Sequence, residues 1–206
     1  PATDRAGRMA DYDAALKLDP AHVDARMEKA RLMADSGDLP GAIALLDRPA
    51  AGQDAMAGLI VQRGILRARA KDDAGAERDF VAARAAASNP ADLNNICWAK
   101  ATAGVALASA MVDCDKALAA HPDEAAFLDS KALVLLRLGR IDDAIATYDR
   151  ALAKAPGQTS SLYGRAIAWS RKGDAARAAA DRAAALKISP EVDRTYADYG
   201  LTIDTR

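Results

Sequence analysis

The side chains able to do chemistry are few. His22 and His121 are the two histidines, Cys97 and Cys114 the two cysteines. Neither His has a Cys or acidic partner at a spacing usual for metal ligands, so both read as solvated loop residues. The glycines are scattered one to a turn, which makes no phosphate-cradling loop, and no G-x-S-x-G elbow occurs. The acidic doublets Asp72-Asp73, Asp123-Glu124 and Asp142-Asp143 fall at turns or where helices should start, where carboxylates cap backbone N–H groups and favour the positive end of the helix dipole. The residues predict no catalytic site, no metal and no cofactor, and the function must lie on a surface.

The elements that carry this surface follow from composition. The chain has 206 residues, 28 basic against 29 acidic side chains, and is 51% hydrophobic but only 4% aromatic. No apolar run approaches the ~18 to 20 residues of a bilayer span, and apolar residues are too plentiful for a disordered tail. A net charge of -1 gives no overall electrostatic reason to seek nucleic acid or anionic lipid, and direct membrane insertion is not expected. With 53 alanines, the chain favours helices that approach one another closely.

A repeat orders these helices. Pro122, Pro156 and Pro190 are spaced by 34 residues, and Pro20 precedes Pro122 by three such periods. Laid out at 34, the chain divides into a leading piece 1–22, units 23–56, 57–90, 91–124, 125–158 and 159–192, and a tail 193–206. Unit position 8 reads Ala30, Gly64, Trp98, Ala132, Ala166 and Gly200. Position 20 reads Ala42, Ala76, Ala110, Ala144 and Ala178, and position 27 reads Ala15, Pro49, Ala83, Ala117, Ala151 and Ala185. Small residues there let two helices cross closely. Leu128, Leu135, Ile145, Tyr148 and Leu152, then Leu162, Trp169, Leu186 and Ile188, keep helical spacing and should face inward. Gly37-Asp38, Gly139-Arg140 and Gly173-Asp174 supply turns.

These columns resemble the tetratricopeptide repeat, whose 34-residue unit is two antiparallel helices, A and B. The resemblance covers the whole chain. It implies an all-α, right-handed superhelical solenoid: five full repeats, a leading helix B from about Asp4 to Leu18, and a capping helix from Glu191 to Asp204 with Tyr196, Tyr199, Gly200 and Ile203 inward. The chain reads as one array cut from a longer protein with another domain upstream. Ile96-Cys97-Trp98 and Ser161-Leu162-Tyr163-Gly164-Arg165 are also similar to the C-terminal repeat segment of bacterial envelope proteins that carry a transglutaminase-like or protease domain.

Departures from the pattern carry local expectations. Pro40 falls in the first turn of its helix B, where it does no harm. Pro49 should stop that helix near Asp47 and leave Pro49 to Gln53 as loop. Pro90 comes two places late, so the helix B before it should run longer. Trp98 takes a place meant for a small residue and reads as core, with Ala101, Ala110 and Ala117 giving it room.

If the helices pack as the resemblance implies, Arg63 at position 7 meets Asp79 at position 23, and Arg165 meets Asp181. The third repeat has Cys97 at position 7 and Cys114 at position 24. Two readings stand for them: a disulfide, which suits an oxidising compartment such as the periplasm, or two buried free thiols. In the family the A helices line a concave groove. Carried over, positions 5 and 9 give Met27, Arg31, Val61, Ile65, Asn95, Ala99, Asp129, Leu133, Tyr163 and Ile167, and position 13 adds Arg69, Arg137 and Arg171. The three Arg read either as a row for partner carboxylates or as caps for helix carbonyls. The chaperone-tail clamp of some members needs Lys at position 5 and Asn at position 9; Met27 and Arg31 stand there instead. The expected function is capture of a peptide or protein segment in the groove, without catalysis. The alternatives are a passive spacer of a larger enzyme and self-assembly through an apolar N-terminal face bearing Leu16 and Leu18; a homo-oligomer is not predicted.

Overall fold

The computed structural model describes residues 2–47 and 57–203, and its helices start where the 34-residue frame puts them. A single helix, α1 (Ala2–Leu18), precedes the pairs α2 (Val23–Asp35) and α3 (Leu39–Asp47), and α4 (Ala57–Arg69) and α5 (Asp73–Ala86). The pairs α6 (Pro90–Ala103) and α7 (Leu107–Ala120), α8 (Ala125–Arg137) and α9 (Ile141–Lys154), and α10 (Thr159–Lys172) and α11 (Ala175–Ile188) follow, then α12 (Val192–Asp198). The described residues contain no strand. The chain divides into two compact units, residues 1–87 with α1 to α5 and residues 88–206 with α6 to α12.

Local chemistry sets the helix ends. The Asp38, Asp72 and Asp174 carboxylates accept from the N–H of Gly41, Gly75 and Arg177 at 2.9 to 3.0 Å, each satisfying an orphan donor of a B helix. His22 does the same for α2, its Nδ1 accepting from Ala25 N–H at 3.3 Å, so it caps a helix rather than standing free in a loop. The turn inside each pair needs a left-handed residue, and Gly37, Gly139 and Gly173 supply it at φ +92°, +74° and +87°.

Several expectations change. Pro90 does not lengthen the helix before it: α5 spans 14 residues, as do α7, α9 and α11. Pro90 instead opens α6, where its missing N–H costs nothing, behind an Asn89 cap. The C-terminal helix stops at Asp198, short of the expected Asp204, because Gly200 at φ +70° turns the chain back and Leu201 N–H bonds the Tyr196 carbonyl. Gly200 is therefore an exposed turn residue, not an inward one, and Ile188 is also exposed. Helix α3 has Asp47 as its last residue, while Pro49 to Gln53 lie outside the described residues.

The small columns form the helix contacts. Ala30, Ala132 and Ala166, Ala42, Ala110 and Ala144, and Ala83, Ala117, Ala151 and Ala185 are fully buried. In the second unit they frame a core of Leu133 to Leu136, Ile145, Tyr148, Leu162 and Ile167. Gly164 shows how tight this core is. A Cβ there would lie 2.2 Å from the Tyr148 hydroxyl and 2.4 Å from its ring carbon, so the usual helix gain of Gly→Ala is cancelled by overpacking.

Candidate functional site

An ion-pair ladder holds the helix pairs in register. Arg165 grips Asp181 with two hydrogen bonds of 2.7 and 2.8 Å and reaches Asp149 of the preceding repeat at 2.6 Å. Arg63 does likewise with Asp79, at 3.0 and 2.7 Å, and with Asp47 at 3.2 Å. Lys131 meets Asp115 at 2.7 Å, and Lys29 meets Asp13. The position 7 to position 23 pairs follow from the repeat; the second rung, to position 25 of the preceding repeat, does not. At a partly exposed site each rung contributes about 0.2 to 1 kcal/mol, so the ladder selects register more than it stabilises.

The third repeat replaces this rung. Cys97 and Cys114 are joined in a disulfide with a Cα–Cα separation of 5.4 Å. Asp113, in the column of Asp79 and Asp181, is met instead by Lys100 from one turn further along α6, Nζ to Oδ2 2.6 Å, with both side chains fully buried. The Ser109 hydroxyl accepts a second ammonium N–H at 2.9 Å. Lys100 escaped the sequence reading, although an unmatched Asp in the position 23 column was the signal for a cation nearby.

The face expected to be an open groove is largely covered. Val61, Ile65, Asp129, Leu133, Tyr163 and Ile167 are buried, each 6% exposed or less. In the second unit the tail of the chain takes part in this burial. Leu133, Tyr163 and Ile167 share one apolar cluster with Val192, Tyr196 and Leu201, against which Tyr199 and Ile203 pack. The Tyr196 ring lies 4.7 Å from that of Tyr163, and its hydroxyl donates to the Ser160 carbonyl at 2.7 Å. The Tyr199 ring meets Trp98 edge-on at 6.3 Å. Residues 192–203 therefore lie on the face built from positions 2, 5, 9 and 13 of α8 and α10. Two of the five tyrosines crowded into this short tail were the available hint.

The arginine row is engaged as well. Arg137 donates through Nη2 to the Thr102 carbonyl at 2.8 Å and the Tyr199 carbonyl at 2.5 Å. Arg171 donates to the Leu136 carbonyl at 3.0 Å, and Arg69 lies 3.7 Å from Asp35. Arg137 and Arg171 thus cap carbonyls at the end of the preceding A helix. Arg31, Arg69, Asn95 and Arg171 stay exposed, and Met27, Ala99 and Arg137 are half-buried.

Asp129 is the titratable group beneath this face. Burial pushes its carboxyl up to about 6, against hydrogen bonds donated by the Ser160 and Ser161 hydroxyls that favour the ionised form. A folded pKa above the unfolded 3.8 means stability that is present below pH ~4 and lost as pH rises through about 6. This group should cost on the order of 2 kcal/mol between pH 4 and pH 7. Asp129→Asn should be more stable than the parent at pH 7 and lose that advantage at pH 4. Urea unfolding of both chains across this range checks it, and a difference independent of pH would refute the assignment.

Similarity to known proteins agrees with the geometry. A family model for the tetratricopeptide repeat matches residues 10–55, 113–159 and 130–193, more than half of the chain. Among solved structures, a tetratricopeptide repeat protein from Parabacteroides merdae gives a TM-score of 0.55 at 16% identity, over 95% of this chain and 84% of its own. The APC/C hetero-tetramer Cut9-Hcn1 gives 0.54 at 15% identity, over 97% of this chain and 40% of that one. MamA from Desulfovibrio magneticus RS-1 gives 0.51 at 15% identity, over 83% and 97%. No curated protein sequence matches. At these identities the likeness is one of fold.

Proposed function

Because the chain belongs to the tetratricopeptide repeat family, we propose that it is a non-catalytic interaction scaffold that holds a protein segment on the A-helix face of its second unit. One observation carries this reading. That face already holds a stretch of polypeptide, residues 192–203, by aromatic packing on Tyr163 and Trp98 and by capture of a backbone carbonyl on Arg137. Aromatic anchors in apolar contact, with a few polar groups fixing the backbone, are how peptide-recognising surfaces obtain both affinity and register. The Cys97–Cys114 bond supports placing the scaffold in an oxidising compartment such as the periplasm.

Panning a displayed library of random peptides tests the reading, run on the chain and on its Tyr199→Ala variant, which vacates part of the face. Binders from either target are expected to lose about tenfold or more in affinity on Arg137→Met, one charged hydrogen-bond partner being worth about 1.5 to 3 kcal/mol. No binder from either target, or binders indifferent to Arg137→Met, would overturn it.

A further inference from the structure

We propose that residues 192–203 are an intramolecular lid on this face, lifted by an external segment that presents an aromatic side chain followed by a carboxylate. The proposal rests on the scaffold reading and adds what occupies the face and what displaces it.

The first observation is topological. In a linear stack each repeat touches only its neighbours. Tyr199 follows the fifth repeat, yet its carbonyl is held by Arg137 of the fourth and its ring packs on Trp98 of the third. Helix α12 meets α10 and α11 as a cap continuing the stack would, but the chain from Tyr199 onward folds back beyond them. Nor does α12 stand by its own propensity, since an isolated helix of 7 residues is far below the ~12 to 15 that persist in water. Its order comes from α11 and from the face. Arg182 forks onto Asp193, with Nε to Oδ1 at 3.0 Å, the Tyr196 hydroxyl bonds Ser160, and Leu201 is 2% exposed after the turn at Gly200. Such a segment, tied to a packed body through few anchors, belongs to the part of a fold that opens locally.

The second observation says what would replace it. The Tyr199 carbonyl occupies only Nη2 of Arg137, and among the described residues the buried Nε–H of the same guanidinium has no acceptor. Leaving a buried donor unmet is costly. Arg171 stands near enough for its charge to act on Arg137, so the spot held by a neutral carbonyl lies among positive charge. A carboxylate there would accept from Nη2 and Nε together, in the paired geometry that guanidinium favours. The lid thus fits the apolar part of the face and leaves the ionic part incomplete, as an occupant that must yield to a partner should.

A peptide copying Val192–Tyr199 with a free C-terminal carboxylate places that group where the Tyr199 carbonyl lies; its C-terminal amide is the neutral control. Labelled peptides are titrated by fluorescence anisotropy onto the full chain, its Tyr196→Ala/Tyr199→Ala variant, and that variant with Arg137→Met. The acid peptide is expected to bind the double variant about tenfold tighter than the parent chain, and about tenfold tighter than the amide does. Arg137→Met should remove the acid–amide difference. Equal affinity for parent and double variant overturns the lid, and equal affinity of acid and amide overturns the carboxylate. Should the double variant fail to fold by circular dichroism, hydrogen exchange on the parent chain decides. Amides of residues 192–203 should exchange about tenfold faster than those of α8 and α10, and faster still with saturating acid peptide; uniform exchange refutes the lid. Library binders that depend on Arg137 and bind parent and variant alike would leave the scaffold standing without the lid, whereas no binder at all removes both.

Discussion

Asp113→Ala is expected to destabilise the second unit by about 3–5 kcal/mol, because it takes the carboxylate away from a buried ammonium. Lys100 and Asp113 are both 0% exposed, with 2.6 Å between Nζ and Oδ2. A buried ammonium is compensated for lost water most strongly by a carboxylate, and the neutral Ser109 hydroxyl at 2.9 Å offsets less. The pair itself need not be a net gain. Lys100→Met with Asp113→Leu fills the same volume without desolvating charge and should be close to neutral, or stabilising. Urea unfolding followed by Trp98 and Trp169, the two tryptophans of the chain, reports on this unit. A loss below ~1 kcal/mol for Asp113→Ala would refute this.

Reduction of Cys97–Cys114 should cost about 3 kcal/mol in the same unit. The bridge spans a sequence separation of 17, and closing a loop of that size removes roughly this much chain entropy from the unfolded state. Cys97 stands at position 7, where Arg63 and Arg165 make their rungs, so here a covalent link clamps the A and B helices. The urea midpoint should fall in reductant for the parent chain and be insensitive to reductant in Cys97→Ala/Cys114→Ala. A fall of equal size in both would assign the effect to something other than the bridge. Since Lys100 sits one turn beyond Cys97, the Asp113 and cysteine changes should not add.

Most of the architecture was legible because it is periodic. Alanine at positions 8, 20 and 27 has one geometric use, and the helix pairs, the turns at Gly37, Gly139 and Gly173, and the rungs Arg63–Asp79 and Arg165–Asp181 follow from it. Pro90 was misread because a proline that ends one helix and a proline that begins the next look alike in sequence; only the Asn89 cap separates them. The groove was misread for a different reason. A repeat frame assigns each column to a face and says nothing about what else lies on it. Leu133 and Ile167 do sit in the columns of that face, and both are fully buried in one apolar cluster with Val192, Tyr196 and Leu201 of a non-repeating tail.

The amino-acid order alone therefore determined whatever depends on neighbours in sequence or on one repeat meeting the next: helix ends, close crossings, the short-range ion pairs. Tertiary structure alone decided what joins distant parts of the second unit. Tyr199 lies against Trp98 and Arg137, and Asp129 is buried against Ser160 and Ser161 with its carboxyl raised to about 6. Periodicity encodes nearest-neighbour contacts, whereas the path of a segment outside the period is set by the free energy of the surface it finds, which no column of the repeat records.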